Sequence, residues 1–352
     1  MKVTVFQGTE FKEVSVQEAL DLAKAATSEI WFDVFLDGFS DPEGLSFLSG
    51  LGLSLDHVRH MMESDLELGF RIEPTGVHGV GWLDDNDGTP VTSVLFTWRE
   101  HRLVTVRTDG NQAIKTVRHR LIDRVEMLGD KPTRLLGDVL ELMMATVQRG
   151  VAEMAVRVGD LDMEIIQTAQ PSPAQSQQLS YYRSIFQPLA SRFPIYRVNV
   201  TAALIDPPNV KGLSPAGAAA LREYVQTTID TEEIISSLED DIRAAAQDLQ
   251  AQVVNWQGNR INALTVVTMV FLPISFLTGY FGMNFGWLDD HLESDVVFFI
   301  YGLGLMAVVA AVSFFVLYRT GYSISMGVGG SRPWRFRIPT RGSKNHDKDA
   351  KP

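Results

Sequence analysis

The stretch INALTVVTMVFLPISFLTGYFGMNFGWL at residues 261–288 holds no charged side chain, and neither does VVFFIYGLGLMAVVAAVSFFVLY at 296–318. The segment between them, DDHLESD at 289–295, is acidic. A helix needs about 20 apolar residues to cross the hydrocarbon core of a bilayer, so each stretch is long enough for one crossing. Both lie in the last quarter of a 352-residue chain. Nearly all the preceding mass therefore forms a water-exposed body on one side of the membrane, the layout of a transport or sensing device.

The charges around the spans orient them. Arg319 closes the second stretch and Arg332, Arg335, Arg337 and Arg341 follow it, which by the positive-inside tendency places the C-terminus in the cytoplasm. The opening MKVTVFQGTEFKEV has no apolar run behind its lysine and does not read as a secretory signal, so the N-terminus is expected inside as well. The acidic 289–295 segment then faces outward. Net charge is −12, yet the tail from Arg319 to Pro352 carries eight Lys/Arg against Asp347 and Asp349, leaving −18 on the rest. An acidic body concentrates cations and repels nucleic acid, and it also keeps a protein soluble; charge alone does not separate these readings. The absence of cysteine excludes disulfides, thiolate zinc sites and cysteine nucleophiles. No phosphate loop, glycine-rich nucleotide turn, Ser/His/Asp set or zinc hydrolase motif is present, so no organic cofactor is expected and nothing argues for an enzyme.

The first third reads as mixed α/β. Residues 29–36 have strand character, Leu53 to Met62 reads as a short helix capped by Ser54, and Val91–Trp98 and His101–Thr108 read as paired strands joined at Arg99-Glu100, with a turn at Asp87-Gly88 before them. Helical spacing follows at 112–128, 133–168 and 176–193, broken at Gln170–Pro173 and at Pro207–Gly212. Ser214-Pro215 then opens a helix with a capping hydroxyl and a proline at the first helical position. No proline recurs before Pro273, and the first span follows without a loop. A helix unbroken from 215 to about 280 would be roughly 100 Å long at 1.5 Å per residue, and a rod of that length needs earlier helices or further copies of itself to pack against.

The first span ends in Gly279-Tyr280-Phe281-Gly282-Met283-Asn284-Phe285. Here the chain resembles the CorA family of divalent-cation channels, whose signature is Gly-Met-Asn at the outer end of the first of two C-terminal spans. Leu264-Thr265, Phe271-Leu272-Pro273, Phe276 and Gly279 fall where that family's first span has its Leu-Thr pair, proline and glycine. The resemblance is strong from about 255 to 320 and looser over the Trp31-Phe32-Asp33 strand, Leu53-Ser54-Leu55 and the acidic helical middle.

What the resemblance implies is specific. The fold would be an α/β cytosolic N-terminal domain, a long stalk helix and two C-terminal transmembrane helices, assembled as a homopentameric funnel. The segments would be a regulatory α/β domain (1–213), the cytosolic stalk (214–260), a pore-lining span (261–281), an outer loop with the motif (282–295), a second span (296–318) and a basic cytosolic tail (319–352). The chain would sit in the cell's inner membrane, in contact with its lipid bilayer, and pass Mg2+ inward, with Co2+ or Ni2+ as further cargo and Mg2+ also a regulator.

Gly282, Met283 and Asn284 would form the selective ring. Magnesium yields its waters reluctantly, so a neutral carboxamide such as that of Asn284 suits a hydrated ion by accepting from its coordinated water. Without the family match, Asn284 reads equally well as a span cap. Within the span, Ser275, Leu272, Thr268, Thr265, Leu264 and Ile261 recur at three- and four-residue steps on one candidate pore face; the alternative is a face that packs on other helices. At the inner mouth, where the family often has a polar residue, stand Gly258 and Asn259. Asp289, Asp290, Glu293 and Asp295 would draw cations to the outer mouth or simply mark an exposed loop. Glu223 falls where the register from Asn284 puts a sensing acid for an intracellular divalent ion; Asp84, Asp85 or Asp87 would be its partner, though these three also suit an ordinary turn. Glu239-Asp240-Asp241 reads as a solvated helix face, and His57 and His60 as a surface pair. Two alternatives remain: a zinc carrier of the same superfamily, with or without protons, and a membrane-anchored sensor or scaffold.

Overall fold

A computed structural model describes residues 1–36, 42–51, 53, 70–84, 91–108, 112–128, 134–168, 170–204, 210–283, 296 and 299–319. The expected Leu53–Met62 helix, His57, His60 and the Asp87-Gly88 turn lie outside the described residues, Leu53 excepted. The chain divides into two compact units, Met1–Val254 and Asn255–Pro352.

The first unit is built on strands β1 (Lys2–Gln7), β2 (Glu10–Val14), β3 (Ile30–Phe35), β4 (Arg71–Glu73), β5 (Gly76–Leu83), β6 (Thr92–Arg99) and β7 (Arg102–Arg107). They form one sheet in the order β2-β1-β3-β7-β6-β5-β4. Only β3 and β7 pair in parallel, Ile30 opposite Arg102 through Phe35 opposite Arg107. The pair β6–β7 is the hairpin expected from the sequence, with its turn one residue later, at Glu100-His101. Both turn residues have positive φ, 47° and 71°, as a two-residue turn matching the sheet's twist requires. Helix α1 (Val16–Ala25), which begins with Ser15 accepting from the Glu18 amide, and helix α2 (Pro42–Gly50) complete the N-terminal part.

Strand β3, IWFDVF, is buried along nearly its whole length, Asp33 included. A buried carboxylate is tolerable only when paired. Asp33 accepts from Thr105 Oγ1 at 2.9 Å and from Arg107 Nε at 3.3 Å, and it also pairs with Arg118. Trp31 Nε1 donates to Thr105 Oγ1, so the network fixes β3 against β7 and against helix α3 (Ala113–Leu128).

Helices α4 (Leu135–Gln167), α5 (Pro173–Leu204) and α6 (Pro215–Phe281) follow. α5 extends well beyond the expected 176–193 and keeps Pro188 and Pro194 inside it. An interior proline removes a backbone bond and costs about 3 kcal/mol. Against that, Leu179, Tyr182, Phe186, Leu189, Phe193, Tyr196, Val200 and Leu204 recur at three- and four-residue steps and are all buried. That continuous seam carries the helix past both prolines.

The long helix forms as read from Ser214-Pro215: the Ser214 hydroxyl accepts from the Gly217 amide at 2.8 Å, and α6 runs unbroken to Phe281. Its buried residues, from Gly217 through Leu221, Tyr224, Thr228, Thr231, Ile235, Leu238, Ile242 and Ala245 to Leu249, alternate four- and three-residue steps. This is the heptad seam of helices packed at a shallow angle. It docks on α4 and α5: Gly137 lies against Ala220, Gln148 Nε2 donates to Thr231 Oγ1 at 2.9 Å, and the Tyr196 and Tyr224 hydroxyls meet at 2.5 Å. Glu239 and Asp240 pair with Arg243 on the solvated side.

In the second unit, the apolar end of α6 is accompanied by a π-helical turn at Phe299–Leu303 and helix α7 (Gly304–Arg319).

Candidate ion path and regulatory acid

Among the described residues, two helices are long and apolar enough to cross a membrane, the end of α6 and Phe299–Leu317, and no residue of the apolar α6 window is fully buried. Its half-buried positions are nevertheless ordered. Thr265 apart, they are Val266, Val270, Pro273, Ile274, Leu277 and Phe281, which fall within a sector of about 100° when successive residues are set about 100° apart. The matching stripe on the other helix is Gly302, Met306, Val309, Ser313 and Leu317. Thr278 Oγ1 lies 4.0 Å from Met306 Sδ at the edge of this contact.

The six candidate pore residues occupy the sector centred roughly opposite. Ile261, Leu264, Thr268, Leu272 and Ser275 are exposed and Thr265 is half-buried. Leu264 and Leu272 are 67% and 65% exposed, an apolar surface too large to face water, so this side calls for lipid or for further copies of the chain. The hydroxyls favour copies. Thr265 and Thr268 each donate to the carbonyl four residues back at 2.9 Å, which satisfies their protons and leaves their lone pairs pointing outward. An outward acceptor is of no use to a lipid tail and suits a water that coordinates a cation.

At the outer end, Gly282 donates to the Thr278 carbonyl at 3.0 Å and Met283 to that of Tyr280 at 3.3 Å, so the helix tightens as it stops. A Cβ on Gly282 would stand 3.2 Å from the Thr278 oxygen, closer than side chains normally come. Met283 is exposed. Asn284, Asp289, Asp290, Glu293 and Asp295 lie outside the described residues. Gly258, at the inner end, is half-buried and has open space where a side chain would be.

Glu223 does not stand alone. Arg134 pairs with it at 2.6 Å, and a cavity of about 500 Å3 beside the pair is lined by Arg120, Asp123, Arg124, Met127, Arg134 and Glu223. Three guanidiniums against two carboxylates give this cavity a positive balance. Asp84 lines a different cavity, with Glu153 and Arg157, and its amide donates to Thr146 Oγ1 at 3.1 Å. Among the described residues, no three His, Cys, Asp or Glu side chains are grouped to hold a metal.

Beneath Glu223 lies a set of acids that sequence reading missed. Glu29 accepts from the Leu135 amide at 2.8 Å and so caps α4, whose preceding residue, Arg134, makes no side-chain cap. Burial pushes the Glu29 carboxyl up from 4.5 to about 7, the Leu135 bond opposing and Asp138 adding to the rise. Asp138 is also raised by burial, against the pull of Arg124 at 3.2 Å and Arg134 at 3.4 Å. The signal in the sequence was Glu29 at the head of a strand that is apolar apart from Asp33.

The exposed face opposite α7, the two spans and the α/β body define a two-span membrane protein with a large N-terminal domain. The chain belongs to the family of CorA-like Mg2+ transporter proteins, whose model matches residues 77–319. Its fold is similar to the complete structure of the CorA magnesium transporter from Methanocaldococcus jannaschii, with a TM-score of 0.71 at 14% identity over 92% of this chain and 99% of that one. It is also similar to the full-length CmaX protein, with a TM-score of 0.68 at 16% identity over 91% of this chain and 97% of that one. In sequence, a candidate metal ion transporter named YfjQ from Bacillus subtilis (strain 168) is 30% identical over 86 residues, 23% of this chain and 27% of that protein. The matched part thus spans about a quarter of that relative.

Proposed function

We propose that the chain is a passive channel for divalent cations, Mg2+ first among them, formed by five copies around an axis lined by the exposed face of α6. The single observation that carries this is that face: uncharged, bearing outward lone pairs on Thr265 and Thr268, and turned away from α7. One chain with two crossings cannot enclose a pore, and rotational symmetry is the simplest way to close one. With the termini inside, an inside-negative potential drives a divalent ion inward by about 4.6 kcal/mol per 100 mV, so no energy-coupling domain is required.

Asn284 is proposed as the residue that meets the hydrated ion, following Gly282 and Met283 at the outer end, with Asp289, Asp290, Glu293 and Asp295 raising the local cation concentration. Leu272, Leu264 and Ile261 are proposed as apolar constrictions and Ser275 and Thr268 as polar rests between them. Flux of Mg2+, Co2+, Ni2+ and Zn2+ into liposomes holding the purified protein tests this. Asn284→Ala should lower Mg2+ flux at least tenfold; equal flux in wild type and variant would remove the carboxamide from the mechanism. Zn2+ uptake exceeding Mg2+ uptake, and rising with an imposed pH gradient, would instead assign the chain to zinc.

Glu223 is proposed as a sensor of cytosolic divalent ion, acting by exchange of its Arg134 partner for the metal. Glu223→Ala should weaken closure by internal Mg2+, and unchanged inhibition would take it out of the regulation.

A further inference from the structure

Trp256, Arg260 and Arg319 stand where the apolar stretches of α6 and α7 meet the polar chain. The Arg260 guanidinium lies over the Trp256 ring at 4.2 Å, one helical turn away. No described residue after Asp248 is an aspartate or glutamate, so neither Arg260 nor Arg319 has a carboxylate partner there, and both are exposed. We propose that these three residues bind the phosphate of an anionic phospholipid in the leaflet facing the chain's N-terminal body. The proposal rests on the reading of α6 and α7 as membrane spans.

Depth and direction both fit. Measured along each helix from the Thr278–Met306 contact, Arg260 is 18 residues and Arg319 13 residues away, roughly 27 and 20 Å at 1.5 Å per residue. The chain goes out along α6 and returns along α7, so the two guanidiniums come to similar depth at one membrane face. Eighteen residues are about five whole turns, which puts Arg260 on the side of α6 where Thr278 touches α7. Trp256 falls in the sector of the α7-facing stripe. The pair therefore points about 90° or more from the candidate ion path, toward lipid beside α7.

The chemistry is that of a phosphodiester. A tryptophan favours the headgroup region, where its ring is apolar and its N–H is wet. Stacked on it, a guanidinium is held by its face and keeps its edge donors free for two phosphate oxygens, a geometry that an ammonium does not reproduce. A second arginine on the neighbouring helix adds charge at a similar depth. An anionic headgroup supplies the counterion that the described residues after Asp248 do not.

Native mass spectrometry of the full-length protein, equilibrated with equal amounts of phosphatidylglycerol and phosphatidylcholine, tests the site. Wild type should retain phosphatidylglycerol in preference. R260Q and R319Q should each lower that retention about fivefold, the factor that about 1 kcal/mol per arginine corresponds to. R260K, which keeps charge but not the planar stack, should fall between wild type and R260Q, and phosphatidylcholine retention should not change in any variant. Equal retention of the two lipids by wild type, or an unchanged preference in the double variant R260Q/R319Q, would overturn the proposal. So would loss of oligomer in R260Q with lipid retention per protomer intact, since the arginine would then be serving another copy. Release of wild-type protein from vesicles by alkaline carbonate without detergent would sink the two-span reading itself, whereas an integral protein with no lipid preference sinks this site alone.

Discussion

Glu29 shows how much one buried carboxyl can govern. Its proton is held up to about 7 in the folded chain, against 4.5 for an ordinary glutamate. Between those two values the folded state binds a proton that the unfolded state has released, so stability falls as pH rises through that window and levels off above it. The loss is on the order of 3 kcal/mol, from about 1.4 kcal/mol per unit. The melting temperature of the full-length protein in detergent should therefore decline from pH 5 to pH 7.5, and Glu29→Gln, which still accepts from the Leu135 amide, should flatten that decline; an equal slope in the variant would show that other groups cause it. Gly282 governs the outer end in a different way. Its missing side chain leaves room for the Thr278 oxygen, so Gly282→Ala should displace the turn that carries Met283 and lower Mg2+ flux severalfold while leaving the melting temperature within a degree or two; normal flux would mean that the turn absorbs the change. Glu223 was legible as a single acid in register with Asn284, but Arg134 was not legible as its partner. The two are 89 positions apart, and nothing local in either segment announces a pairing that only the docking of α6 on α4 creates.

Among the elements, the two apolar stretches and the long helix were plain in the sequence because each follows from one uninterrupted property: absence of charge over 20 residues, or absence of proline after a capped start. Strand β3 and the β6–β7 hairpin were legible for their apolar and alternating runs. Strands β1, β2, β4 and β5 were not. KVTVFQ and EFKEV are short and half polar, and GVHGVGWL has three glycines where β-branched residues would mark a strand. β5 is a strand because the sheet supplies both its neighbours and because Met143 of α4 packs where a side chain on Gly81 would sit. The continuation of α5 was hidden by Pro194, which looks like a stop until the buried seam on either side of it is counted. The crossing of α4 and α6 depends on another glycine. A Cβ on Gly137 would stand 2.4 Å from the Ala220 Cβ and 2.9 Å from its carbonyl carbon. Gly137→Ala should therefore cost about 2 kcal/mol by overpacking, read as a lower melting temperature, and adding Ala220→Gly should restore part of it. A neutral Gly137→Ala would mean that the two helices are free to move apart.

Taken as a whole, the chain joins a charged body, stitched by buried networks such as Asp33–Arg107–Arg118, to a pair of helices with no charge between Arg260 and Met283 and none described from Phe299 to Tyr318. One side of α6 is occupied by α7, and the other presents leucines and hydroxyls that no described residue covers. We propose that other copies cover that side and that ions pass along it. The sequence has no cysteine, so a single thiol can be placed at will. Ser275→Cys lies on the proposed ion path and Leu277→Cys on the side toward α7. In liposomes, a small hydrophilic thiol reagent should block most Mg2+ flux through the Ser275→Cys protein and leave flux through the Leu277→Cys protein unchanged. Equal block of both, or block of Leu277→Cys alone, would contradict the assignment of the pore to this face of α6.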